Sequence, residues 1–573
     1  MNSLRLATKA LAVLIVVGLS TSAFASRYIV VMKNAMVFQQ IHSQVSLSSG
    51  STMSSLTVVM NGKTLKPFAG SDAVVEDSLA QLHSIIVNSE DDSAVAVIKA
   101  SGQALVIEKE FFHPAPRPVS GYSLTKPWDF SLQYAKHYVS GSTPHLMDNY
   151  SKGTGPKTPW GIIAVNAPQA WEKANYGRGA RVAVIDTGID KDHPALAANF
   201  EQGRDFIHDG NTPYPFADKV GHGSHCAGTI AGVQSADGFT GVAPEAKILS
   251  GRVCSEQGCS NIAVAQGINW AISQKVDVIS MSLGGANASA AEQSAVESAD
   301  RAKIVVVAAS GNDGVGQVGF PAAFPSVIAV GAIDRNSKKG SFSQWGPELA
   351  VVAPGVEVVS SVPQGTGRES RVTVNVNGSD QTISSSAFQG SPEVPNQLTA
   401  DLIYAGLGQP EDFQKLDLTG KIALVQRGTI RFSDKVKNAI AANAIGVIIF
   451  NNEAGLITSG GLTQDGSIVA IPVLSIEQTV GQQLASALGV SKKVTSTIQT
   501  VATDYESFSG TSMAAPHVAG VSALLRATNK NLTGADVKKI LKSTAHALQP
   551  NDENQTGSGL IDAEAAVNQA VNN

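Results

Sequence analysis

The chain has 573 residues, which is too long for one ordinary domain and favours about three or four. Charged residues make up 16% of it, the formal net charge is −5, and glycine occurs 54 times. A nucleic-acid-binding protein needs a concentrated basic surface, which this charge balance does not supply. Low charge with many small residues is typical of a compact, extracellular α/β protein, but composition alone names no function.

The first 25 residues have the three parts of a secretory signal peptide. Arg5 and Lys9 precede an apolar run from Leu11 to Leu19, and Ala23-Phe24-Ala25 supplies a small-x-small cleavage site. A membrane anchor is the alternative, but the run is too short to span a bilayer of roughly 30 Å. We therefore expect residues 1–25 to be a signal peptide and the mature chain to be secreted without a membrane span.

Residues 26–113 have the pattern of a small α+β domain. The predicted elements are a strand, a helix and two further strands, at Tyr28–Met32, Leu79–Ile86, Ala94–Ile98 and Ala104–Ile107. The next segment, 114–158, is rich in Pro, Gly, Ser and Lys, and is predicted to be an exposed linker that contains the processing region.

From residue 159 onward, short apolar strands alternate with helical patterns. The strands are apolar on both faces, which is typical of a parallel sheet covered by helices on both sides. The predicted strands are 181–186, 247–253, 276–283, 304–309 and 327–332, and the predicted helices are 261–273 and 290–302. The fold class is therefore α/β, with a doubly wound parallel sheet.

A β-rich stretch interrupts this alternation from residue 366 to 503. Strands are predicted within it at Val372–Val376, Lys421–Val425 and Ala444–Phe450. The helical pattern resumes at Met513 with an extended apolar face, which predicts a buried helix. We therefore predict an inserted β-rich domain at 366–503, and a doubly wound domain formed by 159–365 and 504–573.

Only three cysteines occur in the chain. Cys254 and Cys259 are separated by four residues, and export permits a disulfide between them. Closing so small a ring stabilises a protein by roughly 2 kcal/mol in the chain-entropy model. Two free thiols in a loop are the alternative. Cys226 remains outside this pair.

Three short segments carry candidate chemistry, and each has an ordinary structural alternative. Asp186 ends a buried strand, where open α/β sheets form clefts, but Asp is also common in turns. His222 lies between two glycines, which let the backbone come close; a packed core histidine or a zinc ligand is the alternative, although no matching His or Cys cluster supports zinc. Ser512 begins a buried helix, whose dipole favours an adjacent oxyanion, but it is also a typical helix cap.

Together these segments have a specific order and sequence. The order Asp186, His222, Ser512 is that of the subtilisin triad, whereas esterases with Gly-x-Ser-x-Gly have the order Ser, Asp, His. The segments around these residues resemble the three signature motifs of the subtilase family of serine peptidases. The resemblance implies a subtilisin-like fold and acyl transfer, with Ser512 as nucleophile, His222 as general base and Asp186 as its orienting carboxylate.

The same resemblance implies further site residues. Asn312, in Ala309-Ser310-Gly311-Asn312-Asp313, would supply an oxyanion-hole donor together with the Ser512 backbone N–H. The main chain of Ser282, Leu283 and Gly284 would bind the substrate as an added strand. Cys226 resembles the thiol of the branch that includes proteinase K, and is expected to be a buried structural thiol near His222, with a redox switch as the alternative.

The flanking domains and the metal expectation also follow from the resemblance. Residues 26–113 resemble the family's inhibitory propeptide, whose tail near Phe111–His113 would block the cleft; a permanent accessory domain is the alternative. The insert resembles a protease-associated (PA) domain in Gly420–Gly428 and Ala441–Val447, which implies substrate positioning or a cover over the cleft. Calcium is a family expectation, and no metal site is assigned. Candidate oxygen ligands are Asp190, Asp192 and Asp205.

The sequence therefore predicts a secreted serine endopeptidase made as an autoprocessed zymogen. Its partners would be protein or peptide substrates and its own propeptide, without nucleic acid and without a catalytic metal or organic cofactor. One alternative is a catalytically silent, subtilase-like surface binding protein. Another is an intracellular processing peptidase, which the signal peptide and the pro-segment disfavour.

Overall fold

The computed structural model describes residues 26–573 apart from one long segment, 119–157, and several short ones. The short exceptions are 46–52, 54–55, 61–62, 67, 70, 72, 90–91, 117, 236–237, 389, 453–456, 458–461, 463–467, 491–492, 550–551 and 573. The predicted signal peptide and most of the predicted linker lie outside the described residues. Within the described part of the chain, no helix combines the length and apolarity needed to cross a bilayer. The chain divides into two compact units, one up to Glu110 and one from Phe111 on.

The first unit is built on a four-stranded antiparallel sheet in the order β4-β5-β1-β6. Its strands are β1 Ser26–Met32, β2 Val58–Met60, β3 Lys63–Leu65, β4 Val74–Leu79, β5 Ser84–Ser89 and β6 Ala104–Lys109; its helices are Ala35–Val45, Asp92–Ala100 and the 3₁₀ turn Ala80–Leu82. β2 and β3 form a separate hairpin. Phe38 and Ile41 of the first helix belong to one buried apolar cluster with Val30 and Ile85 of the sheet, and this cluster forms the core.

Two predicted elements of this unit are wrong. Leu79–Ile86, predicted as a helix, spans the end of β4, the 3₁₀ turn and the start of β5. Because β5 pairs with a strand on each side and is buried, its apolar run is continuous, and such a run also fits helical spacing. Ala94–Ile98, predicted as a strand, lies in the helix Asp92–Ala100, where Val95 and Ile98 turn toward the core.

The second unit contains a seven-stranded parallel sheet. The strands of this unit up to Ser361, only some of which belong to that sheet, are β7 Phe112–His113, β8 Arg181–Asp186, β9 Phe200–Asp205, β10 Lys247–Arg252, β11 Cys254–Ser255, β12 Gly258–Ser260, β13 Val278–Met281, β14 Val305–Ala309, β15 Val327–Ile333, β16 Leu349–Pro354 and β17 Val358–Ser361. The helices up to this point are Trp160–Ala164, Ala167–Ala170, His222–Ala231, Asn261–Ser273 and Ala290–Arg301, with a 3₁₀ turn at Asn175–Gly177.

The order of this sheet is β16-β15-β14-β13-β8-β10-β9, and all neighbours are parallel. After β8 the chain forms the edge strand β9 and then β10, which lies between β9 and β8; it then builds the other side of the sheet outward through β13 to β16. The strand order therefore reverses at β8, and a cleft is expected beyond the carboxyl ends of the strands at such a point. All five predicted strands and both predicted helices are present, with boundaries that shift by up to two residues.

The residues from Gly367 to Thr503 form an eight-stranded mixed sheet, in the order β19-β18-β25-β21-β22-β23-β24-β20. The strands are β18 Gly367–Val376, β19 Ser379–Ile383, β20 Ser385–Ala387, β21 Val394–Tyr404, β22 Ile422–Gln426, β23 Gly446–Phe450, β24 Val473–Ile476 and β25 Val494–Thr503; helices lie at Pro410–Phe413, Phe432–Ala441 and Gln478–Gly489. The three helices were not predicted. Two apolar clusters on the faces of this sheet consist only of residues from this stretch.

The chain enters and leaves this stretch at one place. Gly367 pairs with Thr503 in the first register position of β18 and β25. Immediately before and after, β17 pairs with β26 Tyr505–Phe508 in an antiparallel ladder. The chain then continues into four helices, Thr511–Thr528, Gly534–Thr544, Glu553–Thr556 and Ala563–Val571. The first of these is buried almost throughout and lies under the seven-stranded sheet, as its apolar pattern predicts.

Candidate active site

Asp186 is the last residue of β8, at the point where the strand order reverses. Its side chain is fully buried, and Oδ1 accepts a hydrogen bond from the Thr187 backbone N–H at 2.7 Å. An apolar strand places the carboxylate there, since every residue of β8 after Arg181 is buried. The carboxylate is thus held at the carboxyl edge of the sheet.

His222 is the first residue of the buried helix His222–Ala231. Gly223 lets this helix approach the end of β8, because a Cβ at residue 223 would lie 2.1 Å from the Gly188 carbonyl oxygen. The Thr187 hydroxyl accepts a hydrogen bond from the Gly223 backbone N–H at 2.9 Å. The start of the helix is therefore fixed directly beside Asp186.

Asp218 anchors the same helix and was not singled out in the sequence. Its carboxylate accepts hydrogen bonds from the backbone N–H groups of Gly221 and Ser224, both at 2.8 Å, and from the Thr187 hydroxyl at 2.9 Å. Burial raises the pKa of Asp218. The signal was an acidic residue just before a helix start, where a carboxylate satisfies the first unpaired N–H groups.

Asp186 and His222 form a buried pair, with His222 Nδ1 2.7 Å from Asp186 Oδ1. Burial works against a charge on His222, but the neighbouring Asp186 carboxylate outweighs it, so the pKa of His222 is raised well above 6.5. The contact with Asp186 fixes the imidazole ring through Nδ1, so Nε2 is the ring nitrogen that is left to bind another group. Nε2 is buried and has no hydrogen-bond partner among the described residues.

Ser512 is the second residue of the helix Thr511–Thr528 and is 6% exposed. Its hydroxyl donates to the Ser282 carbonyl oxygen at 3.0 Å, and the Ser282 hydroxyl donates to the Ser512 carbonyl oxygen at 2.8 Å. The two serines thus bind each other across the sheet edge. The Ser512 hydroxyl is directed to Ser282 rather than to His222.

Cys226 lies between the two halves of this arrangement. Its Sγ is 3.9 Å from His222 Nδ1 and 3.6 Å from the Ser512 carbonyl oxygen. The side chain is fully buried and does not form a disulfide, and burial raises the pKa of its thiol. The expected position near His222 is therefore the one it occupies, and a raised pKa favours the neutral, structural thiol.

Asn312 follows β14 and meets the start of the Thr511–Thr528 helix. Its Oδ1 accepts from both the backbone N–H and the hydroxyl of Thr511, each at 2.9 Å. Because Oδ1 is held in this way, the amide nitrogen Nδ2 is left as the donor on the other side. The adjacent Ser512 backbone N–H is one of the first four of its helix, which have no intrahelical acceptor.

The strand Phe112–His113 adds a peptide to the edge next to this site. It pairs antiparallel with β12, with His113 opposite Cys259 and Phe112 opposite Ser260. The sequence had predicted Ser282, Leu283 and Gly284 as the strand that binds an extended peptide. β12 was missed as such a strand, because a Gly-Cys-Ser turn segment has no recognisable strand pattern.

The predicted disulfide between Cys254 and Cys259 is present, with an S–S distance of 2.09 Å. It joins β11 to β12, which pair as a two-residue hairpin. The bond therefore closes the hairpin whose outer edge holds Phe112–His113.

The candidate calcium ligands do not converge. Asp190 accepts from Gln364, Asp192 contacts Lys191, and Asp205 pairs with Arg252 at 3.0 Å. Throughout the described residues, the one group of three potential ligands is Asp186, His222 and Cys226, which belongs to the site above. The donor sets of the three named carboxylates therefore do not fit a shared calcium site.

Two further buried histidines flank the site but remain neutral. Burial lowers the pKa of His225 to about 3 and that of His517 to about 4. His225 stacks on Phe508, with ring centroids 4.5 Å apart, and His517 Nδ1 contacts the Met513 carbonyl oxygen at 2.8 Å. Both act as packing groups, and of these three histidines it is His222 whose ring contacts a carboxylate, that of Asp186.

Known proteins are similar to this chain. Residues 177–391 match the model of the subtilase family, and residues 394–484 match that of the PA domain. The chain is 42% identical over 213 residues to Subtilisin Savinase of Lederbergia lenta, a match that covers 36% of this chain and 76% of that protein. It is 41% identical over 227 residues to Subtilisin E of Bacillus subtilis (strain 168), covering 39% of this chain and 58% of that protein.

A solved structure extends the likeness. The crystal structure of the psychrophilic subtilisin-like protease Apa1 from the Antarctic psychrotroph Pseudoalteromonas sp. AS-11 matches with a TM-score of 0.52 and 28% identity, over 72% of this chain and 99% of that one. The fold and the assembled site define a subtilisin-like α/β protein. The chain belongs to the subtilase family and carries a PA domain within its sequence.

Proposed function

We propose that this protein is a secreted serine endopeptidase that hydrolyses peptide bonds through an acyl-enzyme on Ser512. The observation that carries the proposal is the buried Asp186–His222 pair at the reversal point of the sheet, with Ser512 at the start of the adjoining helix. The 2.7 Å contact between a carboxylate and an imidazole matches the orienting half of a triad. A protein that only binds a partner at its surface does not need a buried carboxylate–imidazole pair beside a serine.

The mechanism follows from which atoms are already held. Asp186 holds Nδ1 of His222, so Nε2 is the nitrogen that takes the Ser512 proton when Oγ attacks the substrate carbonyl carbon. The Ser512 hydroxyl leaves the Ser282 carbonyl oxygen to do so. His222 then gives the proton to the leaving amine as the C–N bond breaks, and water hydrolyses the resulting ester by the reverse sequence.

The oxyanion of the tetrahedral intermediate needs preorganised donors. We propose Asn312 Nδ2 and the Ser512 backbone N–H, because Thr511 fixes the Asn312 amide through both of its donors. Each of these steps uses groups of this chain, so the mechanism requires no metal or organic cofactor. Calcium stays a family expectation without assigned ligands.

We propose that the protein is exported and made as a zymogen, with 1–25 as signal peptide, 26–113 as inhibitory propeptide and 114–158 as the processing region. Support comes from Phe112–His113, which lies as an added strand on β12. Added strands of this kind are a common mode of peptide recognition. The substrates would be proteins or peptides, bound through their main chain.

The PA domain at 366–503 would lie outside the catalytic machinery and act on access of protein substrates. The way in which both ends of the insert join the rest of the chain supports this separation from the catalytic residues. Val362 donates to the Asp504 carbonyl oxygen at 2.9 Å and Gly365 donates to the Asp504 side chain at 2.8 Å, so residues 365 and 504 are neighbours. Joining them directly leaves a three-residue loop in which Gly365, with φ +71°, has the left-handed conformation such hairpins use.

Labelling with a serine-directed fluorophosphonate tests the proposed activity. The native protein should form one covalent adduct, on Ser512, and Ser512→Ala should form none. Heat-denatured protein is the control, because labelling must depend on the folded site. A native, folded protein that takes no label, or takes it on another serine, contradicts the proposal.

Maturation is tested separately with Ser512→Ala, expressed in a host that lacks other secreted proteases. N-terminal sequencing of the exported variant should begin near Ser26, whereas the wild type should begin beyond residue 113. A fully processed Ser512→Ala variant would show that another protease performs the cleavage.

A further inference from the structure

The two parts of a substrate contact different parts of the proposed site. Phe112–His113 lies on β12 and precedes the proposed processing region at 114–158, so β12 receives the part of a substrate before the cleaved bond. The part after the bond starts with the amine that takes its proton from His222 Nε2, within about 3 Å of that atom. These residues, the leaving side of the substrate, depart with the new amine. The leaving side therefore begins beside His222.

The chain that enters the PA domain is packed against the start of the His222 helix. Gly221 is the N-cap of this helix, and a Cβ added to it would lie 3.6 Å from Cδ of Pro363, which is an ordinary van der Waals separation. The Ser361 hydroxyl donates to the Ser224 carbonyl oxygen at 2.9 Å, two residues after His222. The segment that leads into the insert thus borders the place where the leaving side begins.

The insert itself begins a short distance from this contact. Thr366 donates to the Pro363 carbonyl oxygen at 2.9 Å, so 363–366 is a turn whose ends lie within about 7 Å of each other. Gly367, the first residue of β18, follows directly. Three residues of an extended peptide cover about 10 Å. A substrate with about four residues beyond the cleaved bond is therefore long enough to reach the insert.

The root of the insert is fastened to the chain on both sides of the turn. Nη1 of Arg368 donates to the carbonyl oxygens of Gly365 and Gly367, both at 2.8 Å. Asp190, in the segment that follows β8, accepts from the Gln364 backbone N–H at 3.0 Å. A surface fixed in this way binds a peptide with a smaller loss of conformational freedom than a loosely hinged domain does.

We infer that the PA domain binds the leaving side of the substrate, so that the protein favours bonds followed by at least about four residues. This inference rests on the proposed peptidase function and names the part of the substrate on which the insert acts. Binding before the bond, along β12, does not involve the insert. Polypeptides cut well inside their C-terminus are therefore the favoured substrates, and bonds one or two residues from a C-terminus are disfavoured.

Aminolysis of the acyl-enzyme measures binding of the leaving side alone. A nitrophenyl ester acylates Ser512 of the processed protein, and a peptide amide then competes with water for the acyl group. The amine nitrogen attacks the ester carbonyl carbon, and His222 takes the amine proton and gives it to Ser512 Oγ as the C–O bond breaks, which forms a peptide bond. The ratio of aminolysis to hydrolysis should rise about five- to tenfold between alanine peptide amides of two and six residues, the effect of roughly one net hydrogen bond.

The variant that lacks 366–503, with Gly365 joined to Asp504, should be acylated at the wild-type rate but give the same ratio with both amides. Esters with one to four residues before the reacting carbonyl are the control for the other part of the substrate. Their acylation rates should depend on length equally in the wild type and in the deletion variant. A wild type whose aminolysis does not depend on length overturns the inference, and so does a deletion variant that keeps this dependence or loses both.

Arg368→Met removes the two contacts at the root of the insert, and it is the test if the deletion variant does not fold. It should lower the length dependence of aminolysis at least about twofold. Arg371→Met is the matched control and should equal the wild type, because Arg371 is an exposed arginine of the same strand and the same charge is lost. Arg368→Met with the wild-type dependence overturns the inference. Failure of the proposed function has another signature, since folded wild-type protein then forms no acyl-enzyme at all.

Discussion

The two large sheets of the second unit both contain parallel strands with helices packed on them, yet only one assembles candidate chemistry. At the carboxyl edge of the seven-stranded sheet, Asp186, His222 and Ser512 are buried within a few residues of strand ends or helix starts. Among the described residues of 367–503, Lys435 is the only buried charged side chain. Polar groups at a topological reversal, rather than parallel strands as such, distinguish the site.

Lys435 shows what a buried charge does when it has no catalytic neighbour. Burial lowers its pKa to about 8, and Nζ donates to the Leu407 backbone carbonyl oxygen. That contact ties the helix Phe432–Ala441 to the turn after β21. The group is satisfied by main chain alone, which indicates a structural role.

The largest expected effect is loss of the nucleophile. Ser512→Ala should lower kcat on a peptide substrate by about 10⁶-fold, because removing one member of a triad disables the unit. The matched control is Ser522→Ala, a buried serine of the same helix whose hydroxyl only binds the Val518 carbonyl oxygen. It should retain activity. Equal losses in both variants would mean that helix packing, rather than the Ser512 hydroxyl, had been tested.

Asp186→Asn should lower kcat by about 10⁴-fold, since an amide no longer holds the ring in the required tautomer. It should also change the pH profile. His222 acts in its neutral form, so kcat/KM rises with pH through the raised pKa of His222. Without the carboxylate that raises this pKa, the midpoint of the residual activity should move to lower pH. A midpoint that stays in place would show that Asp186 does not set the His222 pKa.

Asn312→Ala should lower kcat by about 10²- to 10³-fold with little change in KM, because the lost donor acts on the tetrahedral intermediate. Asn375→Ala, at a half-buried asparagine of the eight-stranded sheet that donates to Asp380, sharpens the contrast between the two sheets. It should leave both constants unchanged. An Asn312→Ala variant that raises KM alone would assign the residue to substrate binding.

The smallest effect on peptides should come from removing the whole insert. Joining Gly365 to Asp504 should leave kcat/KM on a short peptide within about threefold, because the three-residue loop preserves the β17–β26 pairing. Cleavage of folded protein substrates should change. Loss of peptide activity, in a variant whose circular dichroism shows a folded chain, would place part of the active machinery in the insert.

How far the sequence predicted the structure differs between regions for a physical reason. The strands that contain Asp186 and Val305–Ala309 are short, apolar and bounded by glycine-rich motifs. The predicted strands and their boundaries therefore agree with the structure. In the first unit, Ile85–Val87 and Val95–Ile98 are short apolar runs without such boundaries, and helix and strand were exchanged. Local pattern does not decide between helix and strand when an apolar run is this short.

The candidate site was predicted from motifs, whereas its supporting contacts were not. Asp186, His222 and Ser512 stand in distinctive segments. β12 pairs with a segment far away in sequence, Phe112–His113, and Glu292 Oε1 contacts His113, which is 179 positions away. Such pairings arise only when the chain is folded, and no spacing rule within one segment indicates them.

The most direct measurement of the central claim is trapping of the acyl-enzyme. The processed protein is mixed with a nitrophenyl ester, quenched in acid within milliseconds and analysed by peptide mass spectrometry. We predict a burst of about one nitrophenol per protein molecule and an acyl group on Ser512 alone, both absent in Ser512→Ala. An ester hydrolysed at the same rate by Ser512→Ala, or an acyl group on another residue, would contradict the account.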